Sequence, residues 1–311
     1  MYQEIKHALE EIGIPGRDLY DLPVSPKRFP DGGQYRIEVS GVERLSTLEA
    51  LLDEQAKQNV TIHRLISTVM GSTYLTQEEL KAFARLAHDA QMEVIICPGP
   101  RNSWDVGAKT LCAPEGATAG INARGCDGIL RYVRDVCRCI ELGFRGFLCT
   151  DEGLLYVMNQ LRAAGKIPAD VIFKLSVVTG HAHAGGARMV QELGADTFNP
   201  SCDTTLPQLA AMRRVTDIPF DIHVLNFDTE GGQNRMWDVA DIARVAAPVY
   251  FKLEPGDSFN RLYKLWNEEE NTALVREKVR LVKIIQEIMA GTGAELVCSP
   301  PAPADLHVPV V

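Results

Sequence analysis

Short strand-like runs alternate with helix-like segments along almost the whole chain, and this alternation constrains the fold more than any other feature. Eight runs rich in β-branched and aromatic residues begin near positions 35, 62, 94, 146, 172, 197, 220 and 249, and a segment with helical periodicity follows each of them. Parallel neighbouring strands need a crossover connection, and a helix is the usual one. The pattern therefore predicts an α/β fold, a (β/α)8 TIM barrel.

An open, doubly wound sheet would show the same alternation of strands and helices. Such sheets often carry a glycine-rich turn after the first strand, where a dinucleotide binds. The turn after the first strand here, Ser40-Gly41-Val42-Glu43-Arg44, has one glycine. We therefore favour the closed barrel.

The predicted barrel covers residues 35–290 and has an extension at each end. Residues 1–34 read as an amphipathic helix followed by an extended arm, and residues 291–311 read as a proline-rich tail. Residues 99–125 follow the third strand and are too long for a simple βα connection, so we expect them to form a lid over the catalytic mouth. Within this segment, Arg101 could clamp an anion and Trp104 could cover the bound substrate.

Charge and composition restrict the partners. The formal net charge is -9 at pH 7, without a long run of Lys or Arg, which argues against nucleic acid and anionic membranes as partners. We expect a small-molecule substrate, and a homo-oligomer stays open. We identify neither a signal peptide nor a transmembrane run, and the eight cysteines show no CxxC pair. These features are typical of a cytoplasmic protein and do not favour an iron–sulfur cluster.

Polar residues at every second position of several strands predict the inward face of the barrel, because side chains alternate between the two faces of a strand. His63 or Arg64 would occupy this face on the second strand. The predicted substrate-binding residues in the strands and at their ends are Arg36, Arg64, Ser176 and Asn199. Buried charges are costly unless they pair or meet a polar ligand. A charged pocket and an internal salt-bridge network therefore both explain the pattern.

The candidate catalytic residues are those that could exchange protons or bind negative charge at the barrel mouth. They are Glu38, Asp151, Glu152, Lys174, His223 and Lys252. Asp151 has an alternative role as the cap of the following helix. The two lysines could form a Schiff base, balance carboxylates or bind an anionic substrate, and we expect Lys252 to face ligand rather than a structural partner.

Histidines offer a metal site as an alternative. The ligand candidates are Glu152, His181, His183, Asp221 and His223. His223 is the stronger histidine, because a strand holds its ring rigidly and Asp221 could orient it. The cofactor is unknown, and a divalent metal stays open. Cys202 has no base identifiable from the sequence and is a poor nucleophile candidate.

Three segments resemble bacterial proteins of the collagenase-like peptidase family, whose catalytic type is unassigned. They are the run from Gly13 through Pro23, the Lys27-Arg28-Phe29-Pro30-Asp31-Gly32 run, and the Thr150-Asp151-Glu152-Gly153 turn. The resemblance extends over nearly the whole chain and implies a peptidase-like hydrolase. Relatives in that family carry a four-cysteine iron–sulfur site, and the cysteines of this chain do not form a matching cluster.

Together, these observations predict a barrel hydrolase that acts on a small polar or anionic substrate by acid–base chemistry at the C-terminal mouth. A metal-dependent isomerase or an aldolase-type lyase is the enzymatic alternative. A barrel that binds a metabolite without turnover is the alternative from another class.

Overall fold

Eight parallel strands close into one barrel in the computed structural model, which describes residues 2–99, 122–258 and 263–311. Each strand pairs with the next along the chain, and the eighth pairs with the first. The predicted (β/α)8 TIM barrel is confirmed. The strands are β1 (Tyr35–Ser40), β2 (Arg64–Ser67), β3 (Glu93–Ile96), β4 (Gly146–Cys149), β5 (Ile172–Leu175), β6 (Thr197–Phe198), β7 (Phe220–Leu225) and β8 (Val249–Leu253).

The α-helices of the described residues lie close to the predicted segments. They are α1 (Tyr2–Glu11), α2 (Leu45–Gln58), α3 (Gln77–Asp89), α4 (Gly125–Glu141), α5 (Glu152–Ala163), α6 (Ala184–Glu192), α7 (Leu206–Val215), α8 (Val239–Ala246) and α9 (Glu268–Gly291). Local signals fix several starts. Thr76 and Glu79 form a capping box before α3, and Pro207 lies in the first turn of α7, where a missing N–H costs nothing.

The two faces of each strand have different surroundings. Ile37 and Val39 of β1 point outward and join the main hydrophobic core between the sheet and the helices. The inward face has an apolar part, in which Ile66, Ile95 and Leu148 belong to a separate buried cluster. Charged side chains such as Glu38, Arg64 and Lys174 lie in the rest of the barrel interior together with uncharged polar ones, so the functional question concerns that polar part.

The arm and the tail close the N-terminal end of the barrel. The Arg36 guanidinium donates to Asp31 of the arm at 2.9 Å and to Asp305 of the tail at 2.6 Å, and its Nε donates to Ser299 Oγ at 2.9 Å. The Phe29 ring lies 4.0 Å from the Arg36 guanidinium carbon. A cavity of about 340 Å³ remains at this end. The division at residues 34 and 291 stays a prediction.

Within the described ranges, no helix combines the length and the apolar character needed to cross a membrane.

Candidate active site

A network of ion pairs fills the lower, N-terminal half of the barrel. Arg64 pairs with Glu38 and with Asp221, and its guanidinium also lies 3.5 Å from Glu93. The Lys174 ammonium lies 2.6 Å from Glu38 Oε1 and 3.2 Å from Asp221 Oδ2. All five side chains are at most 3% exposed. Register explains the meeting, because Glu38 lies directly opposite Arg64 on the neighbouring strand.

Charge keeps this network ionised. Burial alone would raise the pKa of Glu38, but the charges of Arg64 and Lys174 outweigh it and lower that pKa to about 2. Burial lowers the pKa of Lys174 to about 8, which still leaves the lysine charged at pH 7. Of the two explanations left open by the sequence, the salt-bridge network applies here. Glu38, Arg64 and Lys174 hold each other, and Asp221 belongs with them rather than beside His223.

Arg36 also lies away from the C-terminal mouth. It is the second residue of β1, and its partners come from the arm and the tail at the opposite end of the barrel. The structure therefore places Arg36 near the N-terminal end, two residues and about 7 Å below Glu38 along the barrel wall, and not at the catalytic mouth where we expected it to bind substrate. For His63, the ring accepts from the Ile37 N–H and contacts Ser299 O, so Arg64 is the inward residue.

A second polar cluster lies above the network, toward the C-terminal mouth. The Cys202 thiol lies 3.5 Å from His223 Nδ1, and His223 Nε2 lies 2.9 Å from Glu254 Oε2. Cys202 follows β6, His223 is on β7 and Glu254 directly follows β8, so three successive strands supply the three groups. Cys202 is partly exposed, whereas His223 and Glu254 are buried.

The proton positions in this cluster follow from its charges. Burial would raise the pKa of Glu254, but Lys252 and His223 lower it well below its usual value, so the carboxylate is ionised. An ionised carboxylate only accepts hydrogen bonds, and His223 Nε2 must therefore carry the proton. Burial, together with the charge of Lys252, lowers the pKa of His223 to about 4. The ring is neutral at pH 7, and Nδ1 accepts from the Cys202 thiol.

The cluster is further fixed by its neighbours. Lys252 Nζ lies 2.9 Å from Glu254 Oε2, the Tyr263 hydroxyl donates to the other carboxylate oxygen, and Asn226 Nδ2 donates to Cys202 Sγ at 3.0 Å. Although burial lowers the pKa of Lys252, the charges of Glu254 and Glu38 outweigh it and raise that pKa. Lys252 thus pairs with Glu254, whereas we expected it to face ligand rather than a structural partner.

Asn199 and Ser176 lie at the upper ends of their strands. Asn199 Nδ2 donates to Asp221 O at 2.5 Å, while its buried Oδ1 has no hydrogen-bond partner within the described part of the chain. A buried amide oxygen without a hydrogen-bond partner costs about 1 to 3 kcal/mol, so a ligand N–H that donates to it would be favoured. Ser176 Oγ instead accepts from the Val178 N–H at 3.4 Å in a short helical turn.

The acidic turn after β4 has structural contacts. Asp151 caps α5, because Oδ1 accepts from the Leu154 N–H at 2.8 Å and Oδ2 accepts from the Ala123 N–H at 2.8 Å. Each oxygen accepts one backbone hydrogen bond, which matches the capping role that the sequence left open for Asp151. Glu152 Oε1 lies 2.6 Å from His181 Nε2.

The five metal-ligand candidates are not gathered at one point. His183 Nδ1 accepts from the Gly186 N–H at 3.1 Å and caps α6, and Asp221 belongs to the lower network. Over residues 2–99, 122–258 and 263–311, no three His, Cys, Asp or Glu side chains form a group that could hold a metal ion. Arg101 and Trp104 lie outside the described residues, as does most of the predicted lid.

Sequence reasoning identified His223 but paired it with the wrong carboxylate and set Cys202 aside. The strand period placed Asp221 and His223 on one face, yet their side chains enter different layers of the barrel. Glu254 directly follows β8, and Cys202 lies in the loop after β6; barrel enzymes carry their catalytic groups at such C-terminal strand ends and loops. That position is the signal that could have joined them to His223.

No family model matches the chain, and no curated protein matches it. Among solved structures, it is similar to the YdjI aldolase from Escherichia coli K12, at 13% identity over 81% of this chain and 91% of that chain, with a TM-score of 0.46. It is also similar to the U32 peptidase Mk0906, at 15% identity over 75% of this chain and 98% of that chain, with a TM-score of 0.43.

A third solved structure, D-psicose 3-epimerase from Clostridium cellulolyticum H10, has 11% identity over 82% of this chain and 98% of that chain, with a TM-score of 0.47. Proteins with three different activities thus have comparably low sequence identities and TM-scores to this chain. The resemblance to the peptidase family is weak, and these likenesses do not distinguish one activity from another.

Proposed function

We propose that the chain is a hydrolase that cleaves an amide or ester bond of a small polar substrate through a covalent thioester on Cys202. One observation carries this proposal, namely the chain of contacts from Cys202 Sγ to His223 Nδ1 and from His223 Nε2 to Glu254. A nucleophile within reach of a base, which a third group orients, is the arrangement that nucleophilic catalysis requires.

The protonation states decide how the thiol would react. Burial raises the pKa of Cys202 to about 12, and nearby Glu230 adds to the shift. The resting cluster is therefore a neutral thiol beside a neutral imidazole. His223 would take the thiol proton as sulfur attacks, which makes it a general base rather than the partner of a preformed thiolate.

The reaction balances in two steps. Sulfur forms a bond to the carbonyl carbon, the thiol proton moves to His223 Nδ1, and the C–N or C–O bond breaks as the leaving group receives that proton. Water then attacks the thioester, gives a proton to His223, and the C–S bond breaks to release the acid and restore the thiol. Glu254 keeps the ring oriented and stabilises its transient positive charge.

The surrounding groups favour a substrate with both polar donors and negative charge. In the described part of the chain, Lys252 has one carboxylate partner within hydrogen-bond distance, and its ammonium has further N–H groups to donate. Asn199 Oδ1 is an unpaired acceptor among the described residues. A substrate that carries an N–H and an anionic or carbonyl oxygen matches these two groups.

A panel of small chromogenic esters and aminoacyl amides tests the proposal. We expect turnover with an initial burst, an acyl adduct on the Cys202 peptide by mass spectrometry, and a loss of about 100-fold to 10,000-fold in kcat/KM for Cys202→Ala and His223→Gln. Two matched controls, Cys126→Ser at an exposed cysteine of α4 and His181→Gln at the other histidine–carboxylate pair, should keep activity.

Other outcomes would contradict the proposal. Full activity in Cys202→Ala would exclude the thioester. Loss of activity with a chelator and recovery with a divalent ion would favour the metal enzyme, and borohydride trapping of Lys252 with a carbonyl compound would favour the lyase. Ligand binding without any turnover would favour the metabolite-binding barrel.

A further inference from the structure

A second candidate site lies at the N-terminal end of the barrel, opposite the mouth that holds Cys202. The cavity of about 340 Å³ at this end is lined by Glu93, Ile172 and Thr197, each the first residue of its strand. Residues 100–121 and 259–262 follow the C-terminal ends of β3 and β8, so the strand starts around the cavity all lie within the described ranges. This end of a barrel usually serves stability, and a cavity lined by buried charged groups there needs an explanation of its own.

The inner end of the cavity offers hydrogen-bond donors. The Tyr250 hydroxyl accepts from Arg36 Nη1 at 3.2 Å, and it donates to no acceptor among the described residues. Burial raises the pKa of Tyr250, so the hydroxyl keeps its proton at neutral pH and stays a donor. A guanidinium has five N–H groups, of which Arg36 uses four and Arg64 uses three. All three side chains are at most 3% exposed, so a molecule in the cavity that carries oxygen acceptors would meet buried donors.

The outer rim of the cavity offers acceptors. The Asp196 carboxylate accepts two hydrogen bonds at 2.8 Å through Oδ2, and the Asp305 carboxylate accepts from Arg36 at 2.6 Å through Oδ1. The second oxygen of each carboxylate makes no hydrogen bond within the part of the chain that the structure describes. Arg28, also at the rim, is exposed and donates through Nη1 to two backbone carbonyl oxygens, which leaves its other nitrogens able to donate.

The charges around the cavity nearly cancel. Its lining contains three arginines, Arg28, Arg36 and Arg64, and four carboxylates, Glu93, Asp196, Asp217 and Asp305. The carboxylates pair with cations, Glu93 with Arg64, Asp196 with Arg162, Asp217 with Lys27 and Asp305 with Arg36. Three positive and four negative charges give the lining a net charge of -1 with His307 neutral, or zero with His307 protonated. A ligand with a net charge of its own would add an uncompensated charge, which is costly at a partly buried place.

We propose that this cavity, the barrel-base site, binds a small uncharged polyhydroxyl compound of the monosaccharide class. A hydroxyl group both donates and accepts, so a polyol matches donors at the inner end and carboxylate oxygens at the rim. Apolar side chains complete the lining and can contact the C–H groups of such a ligand; they are Phe29, Pro30, Ile172, Pro219 and Pro248. The volume lies within the range of about 300 to 1,000 Å³ that is typical of small-molecule sites.

Four uncharged probes test the proposal, namely glucose, galactose, ribose and myo-inositol, with binding followed by saturation-transfer NMR on the full chain. We expect saturable binding of at least one probe in the millimolar range. Tyr250→Phe removes the hydroxyl and keeps the ring, so it should weaken this binding by about threefold to tenfold. Tyr35→Phe is the matched control, because Tyr35 is a buried tyrosine that packs on the outer side of the barrel wall, with its hydroxyl at Cys298.

A second variant covers a loss of folding in Tyr250→Phe. Arg28 is exposed and has no carboxylate partner in the described part of the chain, so Arg28→Gln should leave thermal unfolding unchanged and weaken sugar binding. Arg280→Gln is its control, because Arg280 is an exposed arginine of α9 that pairs with Glu277. Cys202→Ala should bind the sugars normally, so failure of the hydrolase proposal would leave the sugar result readable.

Three results would overturn the proposal. The first is the absence of binding by all four probes. The second is sugar binding in Tyr250→Phe that is no weaker than in Tyr35→Phe, or, if Tyr250→Phe does not fold, binding in Arg28→Gln that is no weaker than in Arg280→Gln. The third is tighter binding of glucosamine or gluconate than of every uncharged probe, because a charged ligand would then fit the cavity better than an uncharged one.

Discussion

Replacing Lys174 by methionine tests whether the lower network is structural. The lysine ammonium touches Glu38 at 2.6 and 2.7 Å and Asp221 at 3.2 Å, and none of the three side chains is exposed. The network holds two cations, Arg64 and Lys174, and three carboxylates. Lys174→Met would leave one cation among three buried carboxylates.

The magnitude follows from the contacts. Two unit charges 4 Å apart attract by about 4 kcal/mol at an effective dielectric constant of about 20, and Lys174 has two such partners at shorter distance. The variant no longer pays the desolvation of the lysine, which offsets part of this loss. Removing one partner of a buried pair typically costs about 3 to 5 kcal/mol, and we expect Lys174→Met to fall in this range.

The double variant Lys174→Met/Glu38→Gln separates charge imbalance from loss of packing. Neutralising Glu38 removes the carboxylate that pairs with the lysine. We therefore expect the double variant to lose about 1 to 3 kcal/mol less unfolding free energy than the sum of the two single variants. Lys57→Met is the surface control, because Lys57 pairs with Asp53 at 2.7 Å while both are exposed to solvent. We expect a far smaller change there, since exposed ion pairs are screened.

Urea denaturation followed by circular dichroism gives these free energies of unfolding. The folded fraction of Lys174→Met should keep the hydrolase activity of the native chain. The structural role of Lys174 would be refuted if the losses of unfolding free energy in Lys174→Met and Glu38→Gln simply added in the double variant. It would also be refuted if Lys174→Met lost no more stability than Lys57→Met. Loss of activity in a Lys174→Met protein of native stability would return Lys174 to the catalytic residues.

Three further predictions concern other groups. Burial and the charge of Lys252 lower the pKa of His223 to about 4, so this pKa should rise in Lys252→Met. Because the unfolded chain binds the proton near pH 6.5, the native state should lose stability as the pH falls from 6.5 toward 4. An NMR titration that gave the native ring a pKa near 6.5 would contradict this. Iodoacetamide should label the exposed Cys126 faster than Cys202, because burial raises the pKa of Cys202 to about 12. If peptide mass spectra showed faster labelling of Cys202, a preformed thiolate would be indicated. Gly71→Ala should destabilise the fold by about 1 to 3 kcal/mol, because the φ of +104° at Gly71 and its contact with Gly99 exclude a side chain. An unchanged midpoint of urea unfolding would show that the loops after β2 and β3 can move apart to admit the methyl group.

The sequence by itself determined the barrel and much of its interior. Strand period and helix period depend on nearest neighbours along the chain, so the alternation predicted eight βα units, and the alternation within strands predicted that Glu38, Lys174, His223 and Lys252 point inward. Local capping chemistry also allowed the alternative role of Asp151 to be stated in advance.

Only the tertiary structure decided which inward residues meet. Height along the barrel depends on register between strands far apart in sequence, and this placed Asp221 with Arg64 and Lys174 while His223 met Glu254. Arg36 pairs with Asp31 of the arm and Asp305 of the tail, and the periodicity of the strand sequence could not show these contacts. Cys202 gained a base in the same way, because the thiol and the imidazole come from successive strand ends that are joined through a helix rather than through local sequence.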